Sequence, residues 1–175
     1  MKPALLVIDV QVQFVPYMAE TDRKIAPLMI NWAIDSFRGR SLPVYAVCHT
    51  DPSRGLVPGS EAFQFDPGIN IKADDVQIVK KYPNAFKNTG LQQRLHDADR
   101  DTLFLCGLSS TGCVLASYFG AKDLDFKTFL IKDALLGPSS AHTKCVEDFC
   151  DTVNLNVLQT MLEGAGAMLA ETVAR

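Results

Sequence analysis

The stretch Thr102–Val114, TLFLCGLSSTGCV, contains the structural unit that recurs along this chain of 175 residues. Its first five residues, Thr102–Cys106, are apolar or β-branched, which is typical of a strand covered on both faces. A turn of glycine and serine residues follows, and a segment of helical period begins near Cys113. A buried strand that passes through a short turn into a helix is the repeating unit of a parallel α/β sheet.

Similar apolar runs, separated by segments of helical period, lie on both sides of this unit. The predicted strands are Ala4–Asp9, Pro43–His49, Val76–Lys80, Thr102–Cys106, Thr128–Lys132 and Asn154–Leu158. The predicted helices are approximately Asp22–Arg38, Gly90–Asp97, Cys113–Leu124, Ser139–Thr152 and Gln159–Val173. Six strands and their crossovers predict an α/β fold, namely a three-layer, doubly wound sheet of mainly parallel strands with helices on both faces.

The connection Thr50–Asp75 differs from the rest of the chain because it is rich in proline and glycine. We expect an irregular loop there. A loop of this length inside a compact domain usually has a function, often as the rim of a site or a lid over it. We find no linker and no repeat, so residues 1–175 are expected to form a single domain.

Composition places the chain among globular proteins, with 47% hydrophobic and 21% charged residues. A net charge of −3 without a basic patch argues against nucleic-acid binding and against an anionic membrane surface. The opening apolar run Ala4–Val10 is interrupted by Asp9 and is too short for a signal segment or a membrane span. The five cysteines form no C-x-x-C pair and are expected to be reduced thiols, so we expect a cytoplasmic protein.

Three reactive side chains fall at or just beyond predicted strand ends. Asp9 ends the first strand, Lys80 ends the third, and Cys113 follows the fourth. Ligands of open α/β sheets bind outside the carboxyl ends of the strands. The topology can therefore bring a carboxylate, an ammonium group and a thiol to one edge of the sheet.

Cys113 has the setting of a nucleophile. A thiol at a helix N-terminus is close to unpaired backbone N–H groups and to the positive end of the helix dipole, so its pKa is expected to fall. The same N–H groups can stabilise the oxyanion of a tetrahedral intermediate. The alternative is a small, buried, inert thiol, which is the usual fate of a free cysteine. The setting alone leaves both readings open.

The two charged partners are also ambiguous when each is considered alone. Asp9 ends an apolar strand, where an ionised carboxylate is costly unless it is paired. It is either a proton acceptor for the thiol or a residue that caps a turn or pairs with a lysine. Lys80 and Lys81 point to opposite faces of the sheet, and alternation does not tell which of them reaches the site.

Together these positions and their flanking residues resemble the isochorismatase-like cysteine hydrolase superfamily. Its first motif, D-x-Q-x-x-F, is matched by Asp9–Phe14. Its second motif is a lysine four residues before an [SN]-A-F-x-x-T-x-L segment, matched by Lys80 and Asn84–Leu91. The third is a glycine six residues before a Cys-Val pair, matched by Gly107 and Cys113–Val114. The resemblance spans about residues 4–160 and favours Lys80 over Lys81.

The resemblance implies a catalytic triad of Asp9, Lys80 and Cys113. Asp9 would act as general base and then acid, Lys80 would orient it and stabilise the thiolate, and Cys113 would form a thioester. The backbone N–H groups of Ser109 and Cys113 would form the oxyanion hole, after a cis peptide bond at Leu108–Ser109. His142 lies where members of the superfamily often have a histidine.

The resemblance also implies a substrate pocket, which we assign to Phe14, His49, Asn84 and Phe86. For a substrate that bears a carboxylate, the candidate cations are Arg54, His49 and Lys87. The partner would be a small molecule, with no cofactor, and the protein would form a homo-oligomer. The sequence does not identify the substrate or the number of subunits.

One departure from the motifs of the superfamily narrows the range of reactions that we expect. Nicotinamidases of the superfamily bind a metal ion through an Asp-x-His pair and a further histidine after the second strand, whereas this chain has no histidine between His49 and His96. We therefore expect no metal, and hydrolysis of a C–N bond in a small amide, carbamoyl compound or ureide. The alternatives are a non-catalytic binding protein, a redox-sensing thiol protein, or a vinyl ether hydrolase of the isochorismatase type, which would not need the cysteine.

Overall fold

The computed structural model describes the backbone of residues 1–173 and the side chains of residues 1–165. Its centre is a sheet of six strands in the order β3-β2-β1-β4-β5-β6, and every pairing between them is parallel. The strands are β1 (Pro3–Ile8), β2 (Val44–His49), β3 (Val76–Lys80), β4 (Thr102–Leu108), β5 (Lys127–Leu136) and β6 (Thr152–Val153). The predicted fold class is confirmed.

Helices cover both faces of the sheet and create two apolar layers. They are α1 (Glu20–Arg38), α2 (Leu91–Asp97), α3 (Leu115–Lys122), α4 (Ser140–Phe149) and α5 (Leu155–Val173). Helices α1 and α5 pack on one face, and α2, α3 and α4 on the other. Within the described residues, no helix is long and apolar enough to cross a membrane.

The last predicted strand, Asn154–Leu158, is wrong. Strand β6 has only two residues and ends at Val153, and the following segment is the first turn of α5. The side-chain oxygen of Asn154 accepts a hydrogen bond from the backbone N–H of Val157 at 2.9 Å, as an N-cap residue does. The apolar spacing of Leu155, Leu158 and Leu162 is therefore helical and places one side of α5 on the core.

The two central strands approach each other closely at Gly107. This residue has a φ of 111°, and a Cβ atom there would lie 2.2 Å from the carbonyl oxygen of Ile8. No other residue type fits such a separation without moving one of the strands. Gly107 thus sets the distance between the end of β1 and the turn that follows β4.

The long connection after β2 is irregular except for two short 3₁₀ turns, Pro52–Arg54 and Glu61–Phe63. Its middle part runs beside the segment that follows β1. The N–H of Val12 donates to the carbonyl of Gln64 at 2.9 Å, and the N–H of Asp66 donates to the carbonyl of Val10 at 2.8 Å. The loop is thereby attached to the carboxyl edge of the sheet.

Candidate active site

The register of the sheet brings several strand ends to one edge. Ile8 at the end of β1 lies opposite Gly107 in β4. His49 at the end of β2 lies opposite Lys80 at the end of β3. Asp9 therefore emerges between the turn after β4 on one side and the ends of β2 and β3 on the other. This is the edge at which open α/β sheets bind ligands.

Asp9 and Lys80 form an ion pair that is almost fully buried. The Lys80 Nζ atom lies 2.6 Å from Oδ2 of Asp9, and the two side chains are 0% and 1% exposed. Asp9 has a left-handed backbone with a φ of 53°, which aspartate adopts more readily than most residues. Lys81 is exposed, so the lysine that reaches the carboxylate is Lys80.

Cys113 lies beside this pair, in the irregular turn Ser110–Val114 that links β4 to α3. Gly112 kinks the turn, with φ −121° and ψ −106°, and the peptide bond Leu108–Ser109 is cis. Asp9 Oδ2 is bound to Lys80, whereas Oδ1 is buried without a hydrogen-bond partner among the described atoms. Asp9 thus has one free acceptor atom in the neighbourhood of the thiol.

The expected fall in the pKa of Cys113 is not found. Burial raises the pKa of this thiol to about 12, and the negative charge of Asp9 adds to the increase while Lys80 opposes it. Helix α3 begins only at Leu115, so Cys113 is not in its first turn. The resting thiol is therefore protonated. Burial also raises the pKa of the Asp9 carboxyl group, against the effect of Lys80, which makes its carboxylate a stronger base.

Two of the predicted pocket residues, Phe14 and His49, lie together beside this cluster. Their ring centroids are 6.1 Å apart. Burial and then the charge of Lys80 lower the pKa of His49, so its ring is neutral, and its Nδ1 atom is buried without a partner in the described structure. A cavity of about 60 Å³ is lined by Gln13, Phe14, His49, Asp51, Arg54 and Leu56.

Gln11, the third residue of the D-x-Q-x-x-F motif, has a structural role at this edge. Its fully buried side chain accepts from the N–H of His49 at 2.8 Å and donates to the carbonyl of His49 at 3.1 Å. It also donates to the carbonyl of Phe63 at 2.9 Å. Gln11 thus fixes both the end of β2 and the long loop. The signal available in the sequence was a polar residue two positions after a buried strand.

The other two predicted pocket residues, Asn84 and Phe86, do not join the cluster. Asn84 packs against Gly120 of α3, which is seven residues beyond Cys113, or roughly 10 Å along a helix. Phe86 stacks on Phe126, with ring centroids 5.9 Å apart, next to the amino end of β5. The segment after β3 turns back along α3 and away from the carboxyl edge, so both residues lie outside the cluster, and their place in the substrate pocket stays a prediction.

Two further candidates also lie outside the cluster. The Nζ atom of Lys87 is 4.1 Å from the ring centroid of Tyr82, in a cation–π contact. His142 is exposed on α4. Of the three side chains considered for a carboxylate, Arg54 and His49 line the small cavity and Lys87 does not, and since His49 is neutral, Arg54 is the one that carries a positive charge there.

Metal coordination would require several converging ligands. In the part of the chain that the structure describes, no three His, Cys, Asp or Glu side chains are arranged to hold a metal ion. The groups that the candidate site itself offers are a thiol, a carboxylate, an ammonium group and a neutral imidazole.

Comparison with known proteins is consistent with this geometry. The family model of the isochorismatase domain matches residues 3–156. An uncharacterised isochorismatase family protein of Bacillus subtilis, YddQ, is 29% identical over 139 residues, which is 77% of each chain. Maleamate amidohydrolase of Pseudomonas putida is 30% identical over 82 residues, which is 47% of this chain and 38% of that enzyme.

Solved structures share the fold over nearly the whole chain. An isochorismatase family protein from Burkholderia thailandensis superimposes with a TM-score of 0.81 at 21% identity and covers 93% of this chain and 96% of its own. A cysteine hydrolase from Pseudomonas syringae has a TM-score of 0.77 at 17% identity, over 94% of this chain and 93% of its own. At these identities the likeness is one of fold.

Proposed function

The chain belongs to the isochorismatase family of hydrolases, and within that family we propose that it cleaves a C–N bond of a small amide, carbamoyl compound or ureide. Cys113 is the nucleophile, Asp9 the general base and acid, and Lys80 the cation that orients Asp9. Neither a metal nor a cofactor takes part in these steps.

The observation that carries this proposal is the incomplete hydrogen bonding of Asp9. Its Oδ2 is bound to Lys80 at 2.6 Å, and its Oδ1 is buried and has no hydrogen-bond partner in the described part of the chain. A buried, unpaired carboxylate oxygen is costly in a purely structural ion pair. Beside a protonated thiol, the same atom is suited to accept the thiol proton.

The geometry suggests an order of events. The Cys113 thiol transfers its proton to Oδ1 of Asp9 as the sulfur forms a bond with the carbonyl carbon of the substrate. The oxyanion that results accepts hydrogen bonds from the backbone N–H groups of Ser109 and Cys113. When the C–N bond breaks, the leaving nitrogen takes the proton from Asp9, and a thioester remains. A water molecule, deprotonated by Asp9, then attacks the thioester, and the returning proton regenerates the thiol.

Lys80 has two effects in this scheme. Its ammonium group fixes the orientation of Asp9 through Oδ2 and leaves Oδ1 directed to the reaction. Its positive charge also opposes the rise in the pKa of Cys113 that burial and Asp9 cause. The thiolate that forms during attack is therefore stabilised by a cation that is already in place.

A small substrate is favoured, since Phe14 and the neutral His49 flank a cavity of about 60 Å³ next to the ion pair of Asp9 and Lys80. The buried Nδ1 atom of His49, for which the described side chains provide no partner, is suited to a polar hydrogen of the substrate or to a bound water molecule. The similarity to maleamate amidohydrolase supports an amide as the first class to test.

The decisive experiment replaces the nucleophile. We expect Cys113→Ala to abolish hydrolysis of an amide, carbamoyl and ureide panel, because no thioester can form. Product release is measured for the wild type, for C113A and for Cys145→Ala, in which an exposed thiol is removed as a control. Mass spectrometry of the wild type, quenched with acid during turnover, is expected to find the acyl group on Cys113.

Other results would point to the alternatives. If C113A retained hydrolysis, the thiol would not be the nucleophile, and a vinyl ether substrate of the isochorismatase type would be tested next. If the wild type bound panel compounds without turnover, a non-catalytic binding protein would be favoured. If peroxide, with no substrate present, produced a stable and reversible oxidised form of Cys113, a redox-sensing role would be favoured.

A further inference from the structure

A chain of buried hydrogen bonds ends in the turn that carries Cys113. Oγ1 of Thr143 in α4 donates to Oδ2 of Asp22 in the first turn of α1 at 2.8 Å. The same Thr143 oxygen is 3.0 Å from Oγ of Ser110, the first residue of the turn before α3. Three elements that are far apart in the sequence are thus joined within the described structure.

The donor and the acceptor in each of these hydrogen bonds follow from the single proton that each hydroxyl carries. A hydroxyl has one proton, and that of Thr143 is engaged by the Asp22 carboxylate, which is its nearest acceptor and carries a charge. The carbonyl of Ser139 is a longer alternative at 3.3 Å. The bond between the two hydroxyls must then be donated by Ser110. The carboxylate at the end of the chain polarises both hydroxyls and strengthens the link.

Packing leaves these groups little freedom. Ser110 is fully buried, and Thr143 and Asp22 are 6% and 8% exposed. The backbone N–H of Gly137 also donates to Asp22 Oδ2, at 3.1 Å. A Cβ atom at Gly137 would lie 2.4 Å from the oxygens of both Ser110 and Thr143. The glycine therefore provides the space in which the two hydroxyls meet.

The position of Ser110 makes this link relevant to the chemistry. It follows Ser109 directly and precedes Cys113 by three residues. The turn is held on its other side by bonds from the N–H groups of Gly112 and Val114 to the carbonyl of Ser109. The proposed nucleophile and both proposed oxyanion donors are therefore in a segment of five residues whose side-chain anchor is the Ser110 hydroxyl.

We propose that Ser110, Thr143 and Asp22 are positioning residues, which hold the turn so that Cys113 faces Asp9. Their expected effect on the rate of hydrolysis rests on the proposed function. Their expected effect on the position of the Cys113 thiol does not. They touch neither substrate nor reacting atoms, and their contribution is to the geometry of attack.

The central test removes one hydroxyl without changing the volume of the side chain. Thr143→Val leaves Ser110 without its acceptor and Asp22 with only the backbone N–H of Gly137 among its described donors. We expect kcat for the best amide of the panel to fall on the order of 10- to 100-fold, because small displacements of a nucleophile reduce the rate steeply. KM is expected to change less than twofold. Thr143→Ser restores the hydroxyl and is expected to restore kcat.

A matched control separates positioning from a general loss of stability. Thr128 is also buried, at 3% exposure, and its hydroxyl donates to the carbonyl of Phe126 at 3.0 Å near the amino end of β5. Thr128→Val removes an equivalent buried hydroxyl at the opposite edge of the sheet. It is expected to lower the melting temperature as T143V does, with kcat unchanged.

A second readout does not depend on the substrate. Iodoacetamide labelling of Cys113 is followed by mass spectrometry from pH 6 to 10, with the exposed Cys145 of the same molecule as the reference. In T143V the pH profile of Cys113 is expected to move to lower pH as the thiol becomes less buried, and in T143S and T128V it is expected to match the wild type. If T143V does not fold, Ser110→Ala provides the same measurement.

The outcomes distinguish the two proposals. Wild-type kcat and a wild-type labelling profile in T143V would overturn the positioning role, and so would equal losses in T143V and T143S. If no panel compound is hydrolysed by the wild-type protein, the proposed function fails, and the labelling profiles alone decide whether the chain of hydrogen bonds positions Cys113.

Discussion

Two lysine–aspartate pairs in this protein have the same chemistry and opposite surroundings. Lys80 and Asp9 are 0% and 1% exposed, at the carboxyl edge of the sheet. Lys122 and Asp151 are 43% and 56% exposed, and they join α3 to the connection between α4 and β6. The surface pair is shared with the hydroxyl of Tyr118, which donates to Asp151 at 2.9 Å.

The contrast shows which of the two ion pairs needs an explanation other than the stability of the fold. At the surface both charges keep much of their hydration, so the pair costs little and contributes little. In the interior, two charges lose their hydration, and the loss is offset only when every polar atom is bound. Asp9 Oδ1 finds no hydrogen-bond partner among residues 1–165, so the buried pair is a poor stabilising device. Its position beside Cys113 provides the better explanation of its presence.

The largest effect is expected when one partner of the buried pair is removed. Lys80→Met leaves a buried carboxylate without a cation, and we expect the free energy of unfolding to fall by about 3–5 kcal/mol. Hydrolysis of the best amide is expected to be lost as well, since Asp9 loses its orientation. Denaturant unfolding and initial rates measure the two effects.

The control for this variant is the double replacement Asp9→Asn with Lys80→Met. Asparagine tolerates the left-handed backbone of position 9, and no net charge remains buried. Most of the lost stability should return while the activity does not. A double variant as unstable as Lys80→Met alone would contradict the view that the pair is kept for chemistry.

An intermediate effect is expected when the pH is lowered. Burial raises the pKa of Asp9 above the ordinary value of about 3.9. The hydrogen bond from Lys122 lowers the pKa of Asp151. Acidification therefore protonates Asp9 first, and a protonated Asp9 cannot accept the thiol proton.

The measurement for this prediction is the pH dependence of kcat/KM. The rate should rise with pH through the raised pKa of Asp9 and remain level until the Cys113 thiol ionises near its pKa of about 12. An acidic limb at or below the ordinary aspartate pKa would show that Asp9 is not the base.

The smallest effect is expected at the surface pair. Lys122→Met should shift the melting temperature by less than about 2 °C and leave the kcat/KM profile unchanged. Calorimetry and the same rate assay test this. A loss of activity in this variant would mean that the two regions are coupled and that burial alone does not explain their difference.

Much of the fold could be predicted because parallel strands covered on both faces have a simple pattern. The apolar runs of β1 to β4 were located to within two residues at each end. Strand β5 continues past Lys132 to Leu136 although Asp133 has a φ of 60°. A backbone irregularity inside a strand cannot be predicted from the pattern of apolar residues. Strand β6 was missed because two residues have no periodicity.

The candidate site was predictable only as far as topology determines it. The ends of parallel strands share one edge, so the proximity of Asp9 and Lys80 followed from strand order. The pKa of Cys113 did not, because burial depends on the packing of the whole turn. The contact between Asp22 and Thr143 joins residues 121 positions apart, and no local pattern encodes it.

Gln11 has a consequence for how such a protein can change over evolution. Its one side chain binds both His49 and Phe63, and this side-chain link between the long loop and the sheet adds to the backbone bonds of Val12 and Asp66. The loop can therefore be lengthened, shortened or rewritten between its attachment points without disturbing the groups on the strand ends. Loop residues that line the small cavity, such as Arg54 and Leu56, can therefore be exchanged, by selection or by engineering, while the reacting groups stay as they are.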